Sequence, residues 1–418
     1  MNNKLVATAL LLVLLLSMFA FLSNTFHIMP AAFGNPTETR EVSKPIRLTA
    51  SSAYDRNPSG FKASNGTWWL FFVRASDALP HVRPPFDPEN VSYDVYYMTS
   101  IDAGVSWSAE TKIPQPSTNQ RGMAAFQDQT GKIWVFVSQP MGTNISYYTY
   151  DETAWTGPTD VLVEGSPISG NHIDALQAAD GKIWIFYESS GVKANNYDGA
   201  SWSPTITVDG TSGMGIPKAI QDASGKFHVV YANWAGGTYY YSTSPDGTTW
   251  TAQPSIIDLP STVSCDPVIY RDAIGNLGVF YAPWDNATDS QWIEHVRSSD
   301  GGATWSWRAR VTAGGYGATY WWDMWPESLV DGSKICLFYT SERGDDGISR
   351  IDGNIWMCNV VWNLTNNRYE FIQTAIDAAS SGDTVIVYDG VYDEQVVINK
   401  SLTIQGMGNT TTIVRPSS

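Results

Sequence analysis

The chain has 418 residues and a formal net charge of −16, with 25 Lys and Arg against 41 Asp and Glu. That balance excludes nucleic acid, whose phosphates are bound through clustered Lys and Arg, and it disfavours anionic membrane surfaces for the same reason. Charged residues make up only 16% and aromatic residues 13%; with 35 Gly, this suits many short strands joined by tight turns.

The first element is a targeting segment. Lys4 precedes an uncharged apolar run from Leu5 to Leu22, and Ala31-Ala32-Phe33-Gly34 follows. The pattern predicts a secretory signal over residues 1–34, cut near Gly34. The run of 18 residues is also long enough for an uncleaved membrane tether through residues 5–22. Either form places the rest of the chain outside the cytoplasmic membrane, secreted or on the cell surface. Seven Asn-x-Ser/Thr sequons, at Asn65, Asn90, Asn144, Asn286, Asn363, Asn399 and Asn409, are compatible with that location.

From residue 45 to 365 two short elements repeat. One is a Gly followed by a compact apolar run: Gly66-Thr-Trp-Trp-Leu-Phe-Phe, Gly131-Lys-Ile-Trp-Val-Phe-Val, Gly181-Lys-Ile-Trp-Ile-Phe-Tyr, Gly225-Lys-Phe-His-Val-Val-Tyr, Gly275-Asn-Leu-Gly-Val-Phe-Tyr and Gly332-Ser-Lys-Ile-Cys-Leu-Phe-Tyr. Runs apolar on both faces, short and rich in β-formers, read as strands sandwiched between neighbouring sheets. The other element follows the first five runs. Its best copies are Ser100-Ile-Asp102-Ala-Gly104-Val-Ser-Trp107, Ser244-Pro-Asp246-Gly247-Thr-Thr-Trp250 and Ser298-Ser-Asp300-Gly-Gly302-Ala-Thr-Trp305. Asp198-Gly199-Ala-Ser-Trp202 is shorter, and Asp151 to Trp155 lacks the Gly. The aspartates fall 49, 47, 48 and 54 residues apart. Six units at a period near 50 predict a six-bladed β-propeller. The segment Pro45–Ser51 is expected to add the outermost strand of the last blade, because an open ring leaves unpaired edges.

The second element resembles the Asp-box, or bacterial neuraminidase repeat, of the sialidase superfamily. The resemblance implies outer hairpin corners away from any active centre. Asp102, Asp198, Asp246 and Asp300 are therefore expected to shape turns, with Gly104, Gly247 and Gly302 and with Trp107, Trp202, Trp250 and Trp305 packing beneath.

After Asn366 the pattern changes. Tyr369, Ile372, Ala375, Ile376 and Ala379 fall at helical spacing, and apolar strands follow at Thr384–Val387, Val396–Ile398, Leu402–Ile404 and Thr412–Val414. Ile372-Gln-Thr-Ala-Ile-Asp-Ala-Ala, Gly382-Asp-Thr-Val-Ile-Val and Lys400-Ser-Leu-Thr-Ile-Gln-Gly resemble the opening of a pectin-lyase-like right-handed β-helix. Residues 369–418 are then an incomplete β-helix start with a short capping helix, either truncated or docked on a partner.

Candidate chemistry gathers where the inner strands begin: Arg56, Arg121, His172, Lys218, Asp266 and Asp323, with Trp325 and Glu327 close behind. Arg, carboxylate, His and Trp together suit a polar ligand with an apolar face, such as a sugar. The bland alternative is that they satisfy one another around a wet channel. Asp55-Arg56-Asn57-Pro58 and Phe72-Val73-Arg74 resemble the opening of a sialidase catalytic blade. That implies Arg56 against a substrate carboxylate and Asp77 as acid/base. The family's tyrosine nucleophile has no match, since Asp323 stands at its place; Asp323 with Asp77 or Glu327 offers a carboxylate pair for another glycosidase. The stretch from Tyr316 to Trp325 reads as a sugar platform or as core. Gly344-Asp-Asp-Gly347 reads as a calcium loop or a solvated turn; no cofactor is required. Cys336 and Cys358 on neighbouring strands are a candidate pair. The expectation is a surface or secreted protein that recognises glycans or partner proteins, with a sialidase-like glycoside hydrolase or a structural envelope component as alternatives.

Overall fold

The computed structural model describes residues 45–75, 93–114, 122–138, 144–233, 237–258, 262–263, 266–285, 290–306, 309–312, 322–332, 334–343, 350–360, 362–363, 372–373, 376, 381, 384–387, 390–393, 396–406 and 412–415. Six antiparallel sheets follow one another along the chain. Their inner strands are Asp55–Lys62, Gly122–Gln127, Asn171–Gln177, Met214–Gln221, Val268–Arg271 and Asp323–Asp331. Each inner strand contacts those of the sheets before and after it, and the sixth returns to the first. The protein is an all-β six-bladed propeller.

Closure comes from the chain's first described strand. Ile46–Arg47 pairs with the third strand of blade 6, Ile46 opposite Met357 and Arg47 opposite Trp356. Thr49 Oγ1 accepts the Ile355 N–H at 3.0 Å. The last blade is thus completed by the first residues, which ties the two ends of a 300-residue circuit together without a covalent link.

No single core exists. Six apolar slabs lie between consecutive blades. Alternation along the second strands builds them: Phe71 and Val73 face blade 2, while Leu70 and Phe72 face blade 6. This is why the repeated runs are apolar at every position rather than at every other one.

The corners lock the slabs. Ser100 Oγ accepts the Gly104 N–H at 2.8 Å, and Asp102 Oδ1 accepts the Ser106 N–H at 2.8 Å. The same bonds recur at Ser298, Asp300 and Gly302, and in shorter form at Ser244, Asp246 and Gly247. The tryptophan after each corner meets an aromatic ring of the preceding blade edge-on: Trp107 on Phe338, Trp155 on Phe71, Trp202 on Phe136, Trp250 on Phe186 and Trp305 on Tyr241. Centroids lie 5.6–6.1 Å apart at 82–88°. Each such contact contributes about 0.5–1.5 kcal/mol beyond the area it buries. Trp107 on Phe338 spans the closing seam itself.

A second set of bridges lies at the same end of the ring, among the inner hairpin turns. Gln127 Oε1 accepts the Ser64 N–H of blade 1, Gln177 Oε1 the Gln129 N–H of blade 2, and Gln221 Oε1 the Ala179 N–H of blade 3, at 2.6–2.7 Å. At the seam Asp331, one residue beyond that position, pairs with Lys62 at 2.6 Å.

The two described cysteines remain thiols, which corrects the expected disulfide. Cys358 pairs with Leu337, and Cys336 with Asn359. That one-residue offset sends the sulfurs to opposite faces, Cys336 into the slab with blade 1 and Cys358 into the slab with blade 5.

Beyond the propeller, Thr384–Val387 pairs in parallel with Thr403–Gly406, and Gly390–Asp393 with Thr412–Arg415. Ile372 and Ile376 are helical and bury with Val385 and Val387 in a small separate cluster. No complete β-helix coil is traced among the described residues. Among them, too, no helix is long and apolar enough to cross a membrane; residues 1–44 lie outside the described set.

Two stability predictions follow from the corners. Gly247 has φ +75°, and a Cβ there would overlap the Trp184 ring, so Gly247→Ala should cost about 2 kcal/mol or more in denaturant unfolding. Hydrogen bonds from Ser106 and Thr304 hold Asp102 and Asp300 down to about 2, from the usual 3.8. A depressed carboxylate contributes stability above its unfolded value and loses it as pH falls toward the folded one. The thermal midpoint should therefore drop between pH 4 and pH 2, and less steeply in an Asp102→Asn, Asp300→Asn double variant.

Candidate axial site

The beginnings of the inner strands share a backbone irregularity. Ser59, Asp174, Lys218, Val268 and Glu327 occupy one equivalent register position, opposite Phe71, Phe186, Val230, Phe280 and Phe338. Two residues earlier stand Asn57, His172, Ile216, Asp266 and Trp325, all with left-handed φ of 51°, 39°, 54°, 29° and 50°. Blade 2 has Gly122 at this place and a regular ladder. Proline follows in four of the five (Pro58, Pro217, Pro267 and Pro326), removing the N–H that would have continued the ladder. Side chains of non-glycine residues held at positive φ cost about 1–3 kcal/mol each. Here the cost recurs around one axis, and a bulge of this kind re-aims its side chain.

The re-aimed residues border a cavity of about 40 Å³ on the axis, lined by Asn57, His172, Ile216, Lys218, Asp266 and Trp325 with their neighbouring prolines. His172 Nδ1 lies 2.9 Å from Glu188 Oε2, across the blade 3 sheet. Asp266 is buried, and burial pushes its carboxyl up to about 6 against the opposing pull of His172, Lys218 and Arg56. The Arg56 guanidinium lies 4.2 Å from the Tyr93 ring centroid and 5.3 Å from that of Trp325, whose edge meets Tyr54. One aromatic face, one guanidinium and one readily protonated carboxyl therefore share the rim of the axis.

Lys218 forms the next layer. Its ammonium lies 3.2 Å from Glu327 Oε2 and 3.5 Å from Asp174 Oδ1. Burial alone would push it down, but the two carboxylates outweigh burial and hold it above the usual lysine range. Burial raises Glu327, with Lys218 pulling the other way. Asp174 Oδ2 also accepts the Ala219 N–H at 2.7 Å, fixing the carboxylate between blades 3 and 4.

Of the residues singled out from sequence, Arg56, His172, Lys218, Asp266, Trp325 and Glu327 come together on the axis. Arg74 does not join them. It stands opposite Asp55 on the neighbouring strand and is held by both Asp55 oxygens at 2.6 and 2.8 Å and by Glu110 at 2.6 Å. Asp323 is fully buried and borders neither axial cavity. Trp322 is core against Trp284, so of the aromatic stretch described, only Trp325 reaches the axis. Asp77, Arg121, residues 316–321 and the 344–347 turn lie outside the described residues. Sequence reading missed Asp174, Glu188, Asn57 and Tyr93. The signal for Asp174 was its register: in the first five blades the residue five after the turn glycine stands opposite the inner-strand position at this level of the axis.

No family model matches the chain, and no curated protein sequence does either. Solved structures do match. A protein of unknown function from Dyadobacter fermentans is 14% identical, with a TM-score of 0.55 over 76% of this chain and 98% of its own. A Hadza microbial sialidase is 16% identical, TM-score 0.53, over 73% of this chain and 65% of that one. A variant of NanB sialidase from Streptococcus pneumoniae is 9% identical, TM-score 0.53, over 78% and 71%. At these identities the likeness establishes the fold, a propeller related distantly to those of sialidases.

The raised Asp266 makes a pH prediction. Its folded value lies above the ordinary 3.8, so ionisation destabilises the folded state as pH rises from 4 to beyond 6. The full effect is roughly 2–3 kcal/mol. Asp266→Asn should match the parent near pH 4 and exceed it at pH 8 in denaturant unfolding.

Proposed function

We propose that this chain is an exported recognition protein that binds glycans through the end of the propeller where the inner strands begin, without sialidase turnover. The observation that carries the reading is the convergence of Trp325, His172, Asp266 and Asn57 at one level of the axis on backbone held at positive φ, with the Arg56 guanidinium over the Trp325 ring. Sugars present apolar C–H faces and hydroxyl edges together, and an aromatic ring beside charged hydrogen-bonding groups complements both. The distant likeness to sialidase propellers supports a carbohydrate as ligand. Against turnover, Arg74 is neutralised by Asp55 and Glu110 rather than presented to a substrate. Export rests on the apolar run at residues 5–22. Residues 369–418 belong to this reading as the start of a parallel β-helix, supported by the two parallel strand pairs.

A glycan array tests it. The folded protein should bind a defined subset of glycans, Trp325→Ala and His172→Ala should weaken that binding at least tenfold, and fluorogenic glycosides should release no product. A folded protein that binds nothing on a broad array, or that hydrolyses sialosides, sinks the proposal.

A further inference from the structure

Below Lys218 the axis opens into a second chamber, of about 330 Å³, that extends toward the inner hairpin turns. Lys218 borders both cavities and forms the roof of the lower one, with Asp174 and Glu327 on either side. Two carboxylates against one ammonium leave that roof one negative charge in excess.

The other pole is Arg271. The first five inner strands end at an equivalent position, occupied by Lys62, Gln127, Gln177, Gln221 and Arg271, where blade 6 has Val330 and then Asp331. The glutamines bridge neighbouring turns, and Lys62 pairs with Asp331. Arg271 has no such neighbour: it is exposed, and among the described residues it makes no hydrogen bond or ion pair. Its guanidinium rests over its own turn, with Nη2 3.0 Å from where a Gly275 Cβ would sit, at the lip of the chamber. Between roof and lip the wall is uncharged, with Ser59, Ser328, Gln221 and Tyr270 set among aliphatic residues.

We propose that this chamber binds a small zwitterion, its ammonium on the Asp174 and Glu327 carboxylates and its carboxylate on Arg271. Spacing selects among zwitterions. The roof layer and Arg271 are three residues apart along a strand, about 10 Å at ~3.3 Å per residue. The opposing charges thus sit at different strand levels on different blades, and a ligand that meets both needs its own charges several bonds apart. That favours an ω-amino acid or a dipeptide over an α-amino acid. The volume lies at the lower end of small-molecule sites. This site is separate from the glycan-binding end.

Calorimetry on the whole chain decides it, with γ-aminobutyrate, glycylglycine, N-acetyl-γ-aminobutyrate, glycine and glucuronate as probes. γ-Aminobutyrate or glycylglycine should bind at least tenfold more tightly than the other three, the two distinguishing an amino acid from a peptide source. Arg271→Gln, an exposed turn substitution, should weaken that binding at least tenfold, whereas Trp325→Ala should leave it unchanged. Absence of binding by both zwitterions overturns the proposal. So does binding that is indifferent to Arg271→Gln, or glucuronate binding as well as they do.

Discussion

The ring is held by an edge-to-face contact repeated from blade to blade. A tryptophan leaves each hairpin corner and meets an aromatic ring on the second or third strand of the sheet before it. The contact forms only if the corner is rigid. A serine hydroxyl and an aspartate carboxylate take up the turn's N–H groups, and a glycine passes beneath where no Cβ would fit. One motif thereby sets both the end of one sheet and the spacing of the next. Blade 6 lacks the motif and is completed instead by the first described strand, Ile46–Arg47.

Because every slab lies between two blades, the inner strands contribute little to a common centre, and the axis is left to polar groups. Those groups are ordered in layers. The outermost layer is strained, aromatic and mixed in charge; the next is the Lys218 triad; the last holds three glutamine bridges and Arg271, which makes no hydrogen bond or ion pair among the described residues. Strain is confined to the first layer, where five blades depart from ideal strand geometry in the same way. A structural role alone would not require it, since blade 2 manages with a regular ladder and Gly122.

The Lys218 triad makes the two ends of the axis distinct chemical environments. Replacing one of its members leaves a largely buried charge uncompensated, which is costly. The triad ties together three inner strands, from blades 3, 4 and 6.

Local chemistry was enough to determine the repeat. Short doubly apolar runs, a glycine before each and an Asp–Gly–Trp corner after it carry their meaning within a dozen residues, so six blades were legible from residue order alone. The clustering of Arg56, His172, Lys218, Asp266, Trp325 and Glu327 was legible too, because position along an inner strand fixes height on the axis. What tertiary structure decided was partnership. Arg74 resembled a ligand-binding arginine until register set it opposite Asp55, and Cys336 resembled a disulfide partner until a one-residue offset turned it to the other face. Asp174 acquired significance only from Lys218, 44 positions away, and Arg271 from making no hydrogen bond or ion pair among the described residues. Strand register and ring closure are long-range properties of the whole circuit, and no local stretch of sequence encodes which charge will face which across the axis.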